Sequence, residues 1–228
     1  MKSGPQSARA VVFDLDGTLA DTAPDIAAAL NVALTDLGHP PLDLRDVKRM
    51  VGGGARLLVE RAIAASGGAS ENQAVERGYR VFLDAYAATP SLYSTLYAGA
   101  AEELVTLKRR GWRIGVCTNK PHDLAGELIA ALGVTDRVDR LIGGSSRHGL
   151  KPAPDMLLAL IDEIGVDAAR AVMVGDSAAD VGCARACGVV SIVFAHGYGD
   201  RPASQLGADL VRPGFDGLAD VLEGFVAP

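Results

Sequence analysis

The sequence is poor in the features that cross-link a protein or anchor it in a membrane. Its 228 residues include only three cysteines, without a CxxC pair, and this odd count favours free thiols in a reducing compartment. No apolar run approaches the length needed to cross a bilayer, and the stretch Met1 to Arg9 lacks the apolar core of a signal peptide. We therefore expect a soluble, cytoplasmic protein.

Positive charge is also scarce. The formal net charge is -6 at pH 7, and the longest basic cluster, Lys108 to Arg110, ends a predicted helix, where it complements the helix dipole. Hydrophobic residues make up 49% of the chain and charged residues 22%, which is typical of a globular protein. We expect neither nucleic acid nor a membrane as a partner, and either a monomer or a homodimer.

Five short, continuous apolar runs predict buried strands of a parallel sheet. They are Ala10–Phe13, Ile114–Cys117, Arg140–Ile142, Ala171–Val174 and Val189–Phe194. Helical patterns follow them, at Gly99–Arg110, Asp123–Leu132, Asp155–Ile164, Ala178–Cys187 and Asp216–Phe225. This alternation predicts an α/β fold, with a doubly wound, mostly parallel, Rossmann-like sheet.

One segment after the first strand contains helical patterns and no convincing strand. Thr22 to Asp25 has the pattern of a capping box, and further helices are predicted at Ala55–Ala65 and Glu71–Ala88. We expect this segment to form a small α-helical cap domain. The predicted division is a core of residues 1–20 and 91–228 and a cap of residues 21–90.

Carboxylates follow two of the predicted strands. Asp14 and Asp16 come directly after the first run, and Asp176 and Asp180 come after the fourth. Ligands of open α/β sheets bind beyond the carboxyl ends of the strands, and the first and fourth runs can be neighbours in a doubly wound sheet. Carboxylates that converge there repel one another, so such a cluster takes up protons or holds a hard cation, for which Mg²⁺ is the best candidate.

Complementary groups follow other strands. Thr118 and Asn119 come after the second run and can donate hydrogen bonds to phosphate oxygens, and Lys151 offers a positive charge. A carboxylate nucleophile, a metal, a hydroxyl donor and an ammonium together favour phosphoryl transfer.

These motifs also carry a family resemblance. The segments are Asp14-Leu-Asp-Gly-Thr-Leu-Ala-Asp21, Thr118-Asn-Lys120, Lys151-Pro152 and Gly175-Asp-Ser-Ala-Ala-Asp180. In this order and spacing they resemble the four motifs of the haloacid dehalogenase superfamily, over roughly Arg9 to Val221. Within it, the sequence is most similar to phosphoglycolate phosphatases, through Thr22 to Asp25, Val51 to Ala55 and Thr118 to Pro121.

The resemblance implies a role for each motif residue. Asp14 is the nucleophile and becomes phosphorylated, and Asp16 is the general acid and then the general base. Mg²⁺ is held by Asp14, by Asp176 and by the backbone carbonyl of Asp16. Thr118 and Lys151 stabilise the transferring phosphoryl group, and Asp180 holds Lys151 or metal-bound water.

The glycine-rich segment of the predicted cap is a candidate for substrate binding. We hypothesise that Gly52, Gly53 and Gly54, which precede a predicted helix, receive the carboxylate of the substrate through backbone N–H groups, and that Arg56 assists. The expected activity is Mg²⁺-dependent hydrolysis of a small phosphate monoester, and 2-phosphoglycolate is the first candidate substrate.

Other functions remain open from the sequence. One is a phosphatase for a sugar phosphate or pyrophosphate. Another is a phosphomutase, which would convert its substrate into an isomer without releasing phosphate. A regulatory binding protein with a vestigial site is the non-enzyme alternative.

Overall fold

A parallel sheet of six strands is the central layer of the part of the chain that the structure describes. The structure is a computed structural model that describes residues 8–68, 71–89, 91–144, 147–199 and 201–226. The boundary expected at residue 90 and the N-terminal residues 1–7 lie outside this part. The sheet strands are β1 (Arg9–Phe13), β4 (Trp112–Pro121), β5 (Arg140–Gly144), β6 (Ala171–Gly175), β7 (Val190–Phe194) and β8 (Leu210–Arg212). Their order is β5-β4-β1-β6-β7-β8.

Helices cover both faces of this sheet. They are α5 (Ala100–Arg109), α6 (His122–Ala131), α7 (Asp155–Ile164), α8 (Ala178–Cys187) and α9 (Leu218–Phe225), and single 3₁₀ turns lie at Thr135–Arg137, Ala168–Arg170 and Ala203–Gln205. Strand β1 alternates between the two cores: Val11 and Phe13 pack with α5, α6 and α9, and Ala10 and Val12 pack with α7 and α8. Because both faces are buried, the strand is apolar throughout. The predicted α/β fold class is confirmed.

Four further helices lie between the first and second sheet strands. They are α1 (Ala23–Asp36), α2 (Leu44–Met50), α3 (Ala55–Ala65) and α4 (Asn72–Ala88), and they are called the helical unit below. Their apolar faces share one hydrophobic cluster, to which Leu124 of α6 also belongs. β2 (Ala20–Asp21) and β3 (Thr95–Leu96) form a two-stranded antiparallel sheet, which pairs the segments through which the chain enters and leaves this unit. No described helix combines the length and apolar character needed to span a bilayer.

Several sequence predictions need correction. The large sheet has a sixth strand, β8, and the sequence patterns predict neither this strand, nor the β2–β3 pair, nor helix α2. Two- and three-residue strands are too short to show a hydrophobic period, so pattern reasoning misses them. Strand β4 is longer than the predicted Ile114–Cys117, because it begins at Trp112 and its carboxyl end continues through the polar residues Thr118 to Lys120.

The predicted capping box at Thr22 and Asp25 is also wrong. The Thr22 side chain does not cap α1, and its hydroxyl donates to Asp16 over 2.7 Å. The buried Asp25 carboxylate instead accepts the backbone N–H groups of Tyr93 and Ser94, at 3.0 and 2.7 Å, and the Ser94 hydroxyl. Asp25 therefore fixes the segment that leads from the helical unit back to the sheet.

Replacement of Asp25 tests this link. We expect Asp25→Ala to lower the free energy of unfolding by about 3 kcal/mol, because it leaves buried backbone donors without their charged acceptor. Asp36→Ala is the control, since Asp36 forms an exposed ion pair with Arg77, and it should cost less than about 1 kcal/mol. Urea unfolding of both variants measures the difference, and equal losses would contradict the assignment.

Candidate active site

Two aspartates lie side by side at the carboxyl ends of the neighbouring strands β1 and β6. The register pairs Phe13 with Val174, so Asp14 and Asp176 follow their strands at nearly the same level. The backbone N–H of Asp14 donates to the carbonyl of Val174 over 2.9 Å. Carboxylate oxygens of Asp14, Asp176 and Asp180 lie within 4.8 Å of one another, and all three residues are buried. Three of the four carboxylates predicted to converge therefore lie together, and Asp16 is outside this group.

The Lys151 ammonium lies among these carboxylates. Its Nζ is 2.9 Å from Asp14 Oδ1 in a close ion pair, and it donates to Asp180 Oδ1 over 2.6 Å and to the Cys117 carbonyl over 2.7 Å. Burial lowers the pKa of Lys151, but the charges of Asp14 and Asp180 raise it by more. The net pKa is above its ordinary value, so the group is an ammonium at neutral pH. Lys151 therefore offsets part of the repulsion within the cluster.

Asp180 supports this arrangement. Its Oδ2 accepts the backbone N–H of Ser177 over 3.0 Å and the Ser177 hydroxyl over 2.6 Å, which forms a capping box at the start of α8. Both of its oxygens are thus occupied, one by Lys151 and one by the helix start. This arrangement favours Asp180 as the partner of Lys151.

Asp176 is oriented by two groups that the sequence analysis did not assign. The Thr18 hydroxyl donates to Asp176 Oδ1 over 3.2 Å, and the backbone N–H of Tyr198 donates to Oδ2 over 2.7 Å. Gly17 has a φ of 84°, and a Cβ there would overlap the Asp176 carboxylate. Tyr198 follows the end of β7, next to β6, so applying the strand-end rule to that strand would have identified the segment.

The Tyr198 phenol also reaches the entrance to the helical unit. It accepts the backbone N–H groups of Thr22 and Ala23, at 2.7 and 2.9 Å, and donates to Asp21 over 2.6 Å. One residue therefore touches both the Asp176 carboxylate and the first turn of α1.

The charge balance of the cluster fits a divalent cation. Burial is the largest cause that raises the pKa of Asp14, to about 6, and Lys151 opposes the rise. Burial and the charges of Asp180 and Asp14 raise the pKa of Asp176 well above its ordinary value. These carboxylates are therefore costly to ionise without a cation, and oxygen ligands of this kind suit Mg²⁺. Asp14 and Asp176 are the residues whose carboxylates could hold it.

A cavity opens beside Asp14, between the sheet edge and the helical unit. It is lined on the sheet side by Asp14, Asp16, Thr118, Asn119 and Lys120. The helical unit contributes an apolar wall of Ile26, Val51, Leu58, Phe82 and Tyr86, with Gly52, Gly54 and Ala55 beside it. A small ligand in this cavity would therefore lie between polar groups of the sheet and apolar side chains of the helices.

The polar groups of the cavity have specific partners. Asp16 Oδ1 accepts from the Thr22 hydroxyl over 2.7 Å and from Lys120 Nζ over 3.2 Å. The Thr118 hydroxyl accepts the Lys120 backbone N–H over 3.3 Å, so its own proton can be donated to a ligand. Asp16 and Thr118 both line the cavity that Asp14 faces, as the sequence predicts for an acid and a phosphate donor.

Asn119 is placed differently from its prediction. Its amide donates to the carbonyls of Gly52 and Lys151, at 2.9 and 3.0 Å, and its Oδ1 accepts the Lys151 backbone N–H over 2.8 Å. The expected amide donation to phosphate would require these bonds to break. The side chain instead joins the helical unit to the backbone of Lys151.

The residues predicted to bind the substrate in the helical unit are only partly at the cavity. Gly52 and Gly54 line it, whereas Gly53 lines an outer cleft on the Asp176 side. Arg56 forms an ion pair with Glu76 over 2.9 Å, with both side chains about half exposed, and it does not line the cavity. In this structure Arg56 is therefore held away from the cavity by Glu76, and its assistance at the site stays a prediction.

The family match agrees with the fold and the site. A family model described as haloacid dehalogenase-like hydrolase matches residues 8–188. The chain therefore belongs to the haloacid dehalogenase-like hydrolases.

Proteins similar to this chain over most of its length are described as phosphatases. The chain is 44% identical to the phosphoglycolate phosphatase of Rhodospirillum rubrum, over 96% of this chain and 92% of that protein. It is 40% identical to the phosphoglycolate phosphatase of Caulobacter vibrioides, over 90% and 86% of the two chains. A crystal structure described as a predicted phosphoglycolate phosphatase from Haemophilus somnus has a TM-score of 0.87 and 28% identity, over 94% of this chain and 97% of that one. The resemblance stated from the motifs is confirmed.

Magnesium binding to the aspartate cluster can be measured without a substrate. We expect Mg²⁺ at about a hundred times its dissociation constant to raise Tm by about 5 °C near pH 7.5. The rise should shrink near pH 5, because a carboxylate with its pKa raised to about 6 is protonated there and the proton competes with the ion.

Asp176→Asn is the test variant, and differential scanning calorimetry is the measurement. The variant should lose most of the Mg²⁺-dependent rise, whereas the exposed Asp84→Asn should keep it. A rise that is independent of pH, or one that survives in Asp176→Asn, would place the ion elsewhere.

Proposed function

We propose that this protein, a phosphoric monoester hydrolase by its family and relatives, is a Mg²⁺-dependent phosphatase of small phosphate esters, with 2-phosphoglycolate as its substrate. The observation that carries the proposal is the position of Asp14. It lies against Lys151 and beside Asp176, and it faces a cavity that Asp16 and Thr118 also line. A nucleophilic carboxylate, a cation site, an acid and phosphate donors are thus within one small volume.

In the first step, an Asp14 carboxylate oxygen attacks phosphorus. A P–O bond to Asp14 forms as the bond to the ester oxygen breaks, which gives an aspartyl-phosphate and an alkoxide. Lys151 and the Thr118 hydroxyl stabilise the charge on the phosphoryl oxygens. Burial of Lys151 keeps its ammonium in place, so little reorganisation is needed during the transfer.

Asp16 moves the protons in both steps. As a carboxylic acid it gives its proton to the leaving alkoxide, and as a carboxylate it then removes a proton from the attacking water. That water displaces Asp14 from phosphorus and releases inorganic phosphate. The hydrogen bond from Thr22, in the first residues of the helical unit, supports a role for that unit in setting the position of Asp16.

A bound Mg²⁺ would reduce the repulsion between the Asp14 carboxylate and the anionic phosphate. Asp14, Asp176 and the backbone carbonyl of Asp16 are the proposed ligands. Thr18 and the backbone of Tyr198 orient Asp176 for this role.

The helical unit acts in this proposal as a cap, with residues 21–90 as its range. Its apolar wall faces Asp14 across the cavity, so a bound ester would be shielded from bulk water. A cavity bounded by the sheet on one side and by the helical unit on the other favours a small ester over a phosphoprotein or a nucleic acid. The backbone N–H groups near Gly52 and Gly54 remain candidates for substrate contact.

The Asp14→Asn variant tests the nucleophile. We expect phosphate release from 2-phosphoglycolate in Mg²⁺ to fall at least about a thousandfold, because an amide oxygen does not form the acyl-phosphate. Asp84→Asn, an exposed change of the same kind on α4, should keep wild-type activity.

The same assay over a panel of esters tests the substrate. If a sugar phosphate or pyrophosphate is hydrolysed far faster than 2-phosphoglycolate, the proposed substrate is wrong and the proposed mechanism still holds. Product isomerisation without phosphate release would indicate a mutase, and an Asp14→Asn variant with normal turnover would end the proposal.

A further inference from the structure

Lys120 is a buried cation whose position follows from an irregularity in β4. The β4–β5 register pairs Thr118 with Gly143 and Pro121 with Gly144, so two residues of β4 lie between consecutive pairs. Such a bulge redirects side chains at a strand end. Lys120 is 7% exposed and lines the cavity that Asp14 faces, although it lies on the same strand as the apolar run that the sequence shows.

The Lys120 ammonium is held by two groups from different parts of the molecule. Its Nζ donates to the Tyr86 hydroxyl of α4 over 2.7 Å and to Asp16 Oδ1 over 3.2 Å, and it lies 4.0 Å from the Tyr86 ring centroid. Burial lowers the pKa of Lys120, but Asp16 and Tyr86 raise it by more, so the side chain is charged. An ammonium has three N–H donors, and these two bonds leave one for a ligand.

The cavity offers few other groups for an anion at this end. Among the described residues that line it, Lys120 alone carries a positive charge, and the facing side chains Ile26, Leu58, Phe82 and Leu124 are apolar. Lys151 is not among the residues that line this cavity, and it is engaged with Asp14 and Asp180. A second negative charge on a substrate would therefore be compensated by Lys120.

We infer that Lys120 is the specificity-determining residue that binds a carboxylate on the leaving alcohol of the substrate. The inference rests on the proposed function, because it assumes that phosphorus is placed at Asp14. Lys120 is joined to Asp16, the proposed acid, and so lies next to the site of the ester oxygen. A short 2-hydroxy acid ester places its carboxylate close to that oxygen, and a single ammonium matches a single carboxylate charge better than a second phosphate dianion.

Two esters of nearly equal size separate this role from the chemistry. Ethyl phosphate has a methyl group where 2-phosphoglycolate has its carboxylate. In Lys120→Met, which keeps the length of the side chain without its charge, kcat/KM for 2-phosphoglycolate should fall about a hundredfold, the loss of a charged hydrogen bond. Loss of the hydrogen bond to Asp16 affects both esters alike, so the fall for ethyl phosphate should be at least about tenfold smaller than that for 2-phosphoglycolate, and the preference for the carboxylate largely disappears.

Lys108→Met is the matched control. Lys108 pairs with Asp139, away from the cavity, and its loss should leave the ratio of the two kcat/KM values unchanged. Equal losses for both esters in Lys120→Met would show that Lys120 acts only through Asp16, and no loss for either ester would show that it has no role. Either result overturns the inference and leaves the phosphatase proposal in place.

The wild-type protein provides a second measurement that needs no folded variant. Glycolate should inhibit ethyl phosphate hydrolysis at least about tenfold more strongly than ethylene glycol, because only glycolate carries the carboxylate. Equal inhibition would overturn the inference. A wild-type protein that releases phosphate from neither ester would instead refute the proposed function itself.

Discussion

The buried Lys151 ammonium between Asp14 and Asp180 is the interaction on which the rest of the site depends. Parallel strands bring their carboxyl ends to one edge of the sheet, and here that geometry forces aspartates from β1 and β6 together. Without a positive charge within hydrogen-bond distance, such a cluster would be protonated or driven apart. The Lys151 ammonium pairs with the Asp14 carboxylate, and Asp14 still faces the cavity.

The same edge of the sheet also controls the position of the helical unit. Tyr198 binds Asp176 through its backbone and the first turn of α1 through its phenol, and Asn119 joins Gly52 to the backbone of Lys151. Motion of the helical unit therefore cannot be independent of the aspartate cluster. In the proposed function, the site admits an ester and then excludes water, and contacts of this kind relate closure to the placement of the reacting groups.

The central strands and the aspartate positions could be predicted from the sequence because they depend on local patterns. A continuous apolar run followed at once by Asp14 identifies a buried strand with a polar end, whatever its neighbours are. The capping boxes show where this reasoning fails. Thr22 to Asp25 and Ser177 to Asp180 have the same pattern, but Asp25 is bound by the distant Ser94, and only the second pair caps its helix. Distant partners of this kind leave no trace in a local window.

Arg56 and Lys120 illustrate the same limit for charged side chains. Arg56 lies near the glycine segment in sequence, yet Glu76 of the neighbouring helix α4 holds it at the surface. The motif Thr118 to Lys120 predicts no role for Lys120, because neither the bulge in β4 nor the approach of Tyr86 can be read from its sequence neighbours. Tertiary contacts therefore decide which positively charged side chains reach the cavity.

The most direct test of the account is to trap the phosphorylated enzyme during turnover. Rapid quenching with acid, reduction of the acyl-phosphate by borohydride and peptide mass spectrometry would identify the carboxyl group that carried phosphorus. The account predicts modification at Asp14 and at no other carboxylate. Modification of Asp176 or Asp180, or full turnover without any trapped carboxyl, would contradict it.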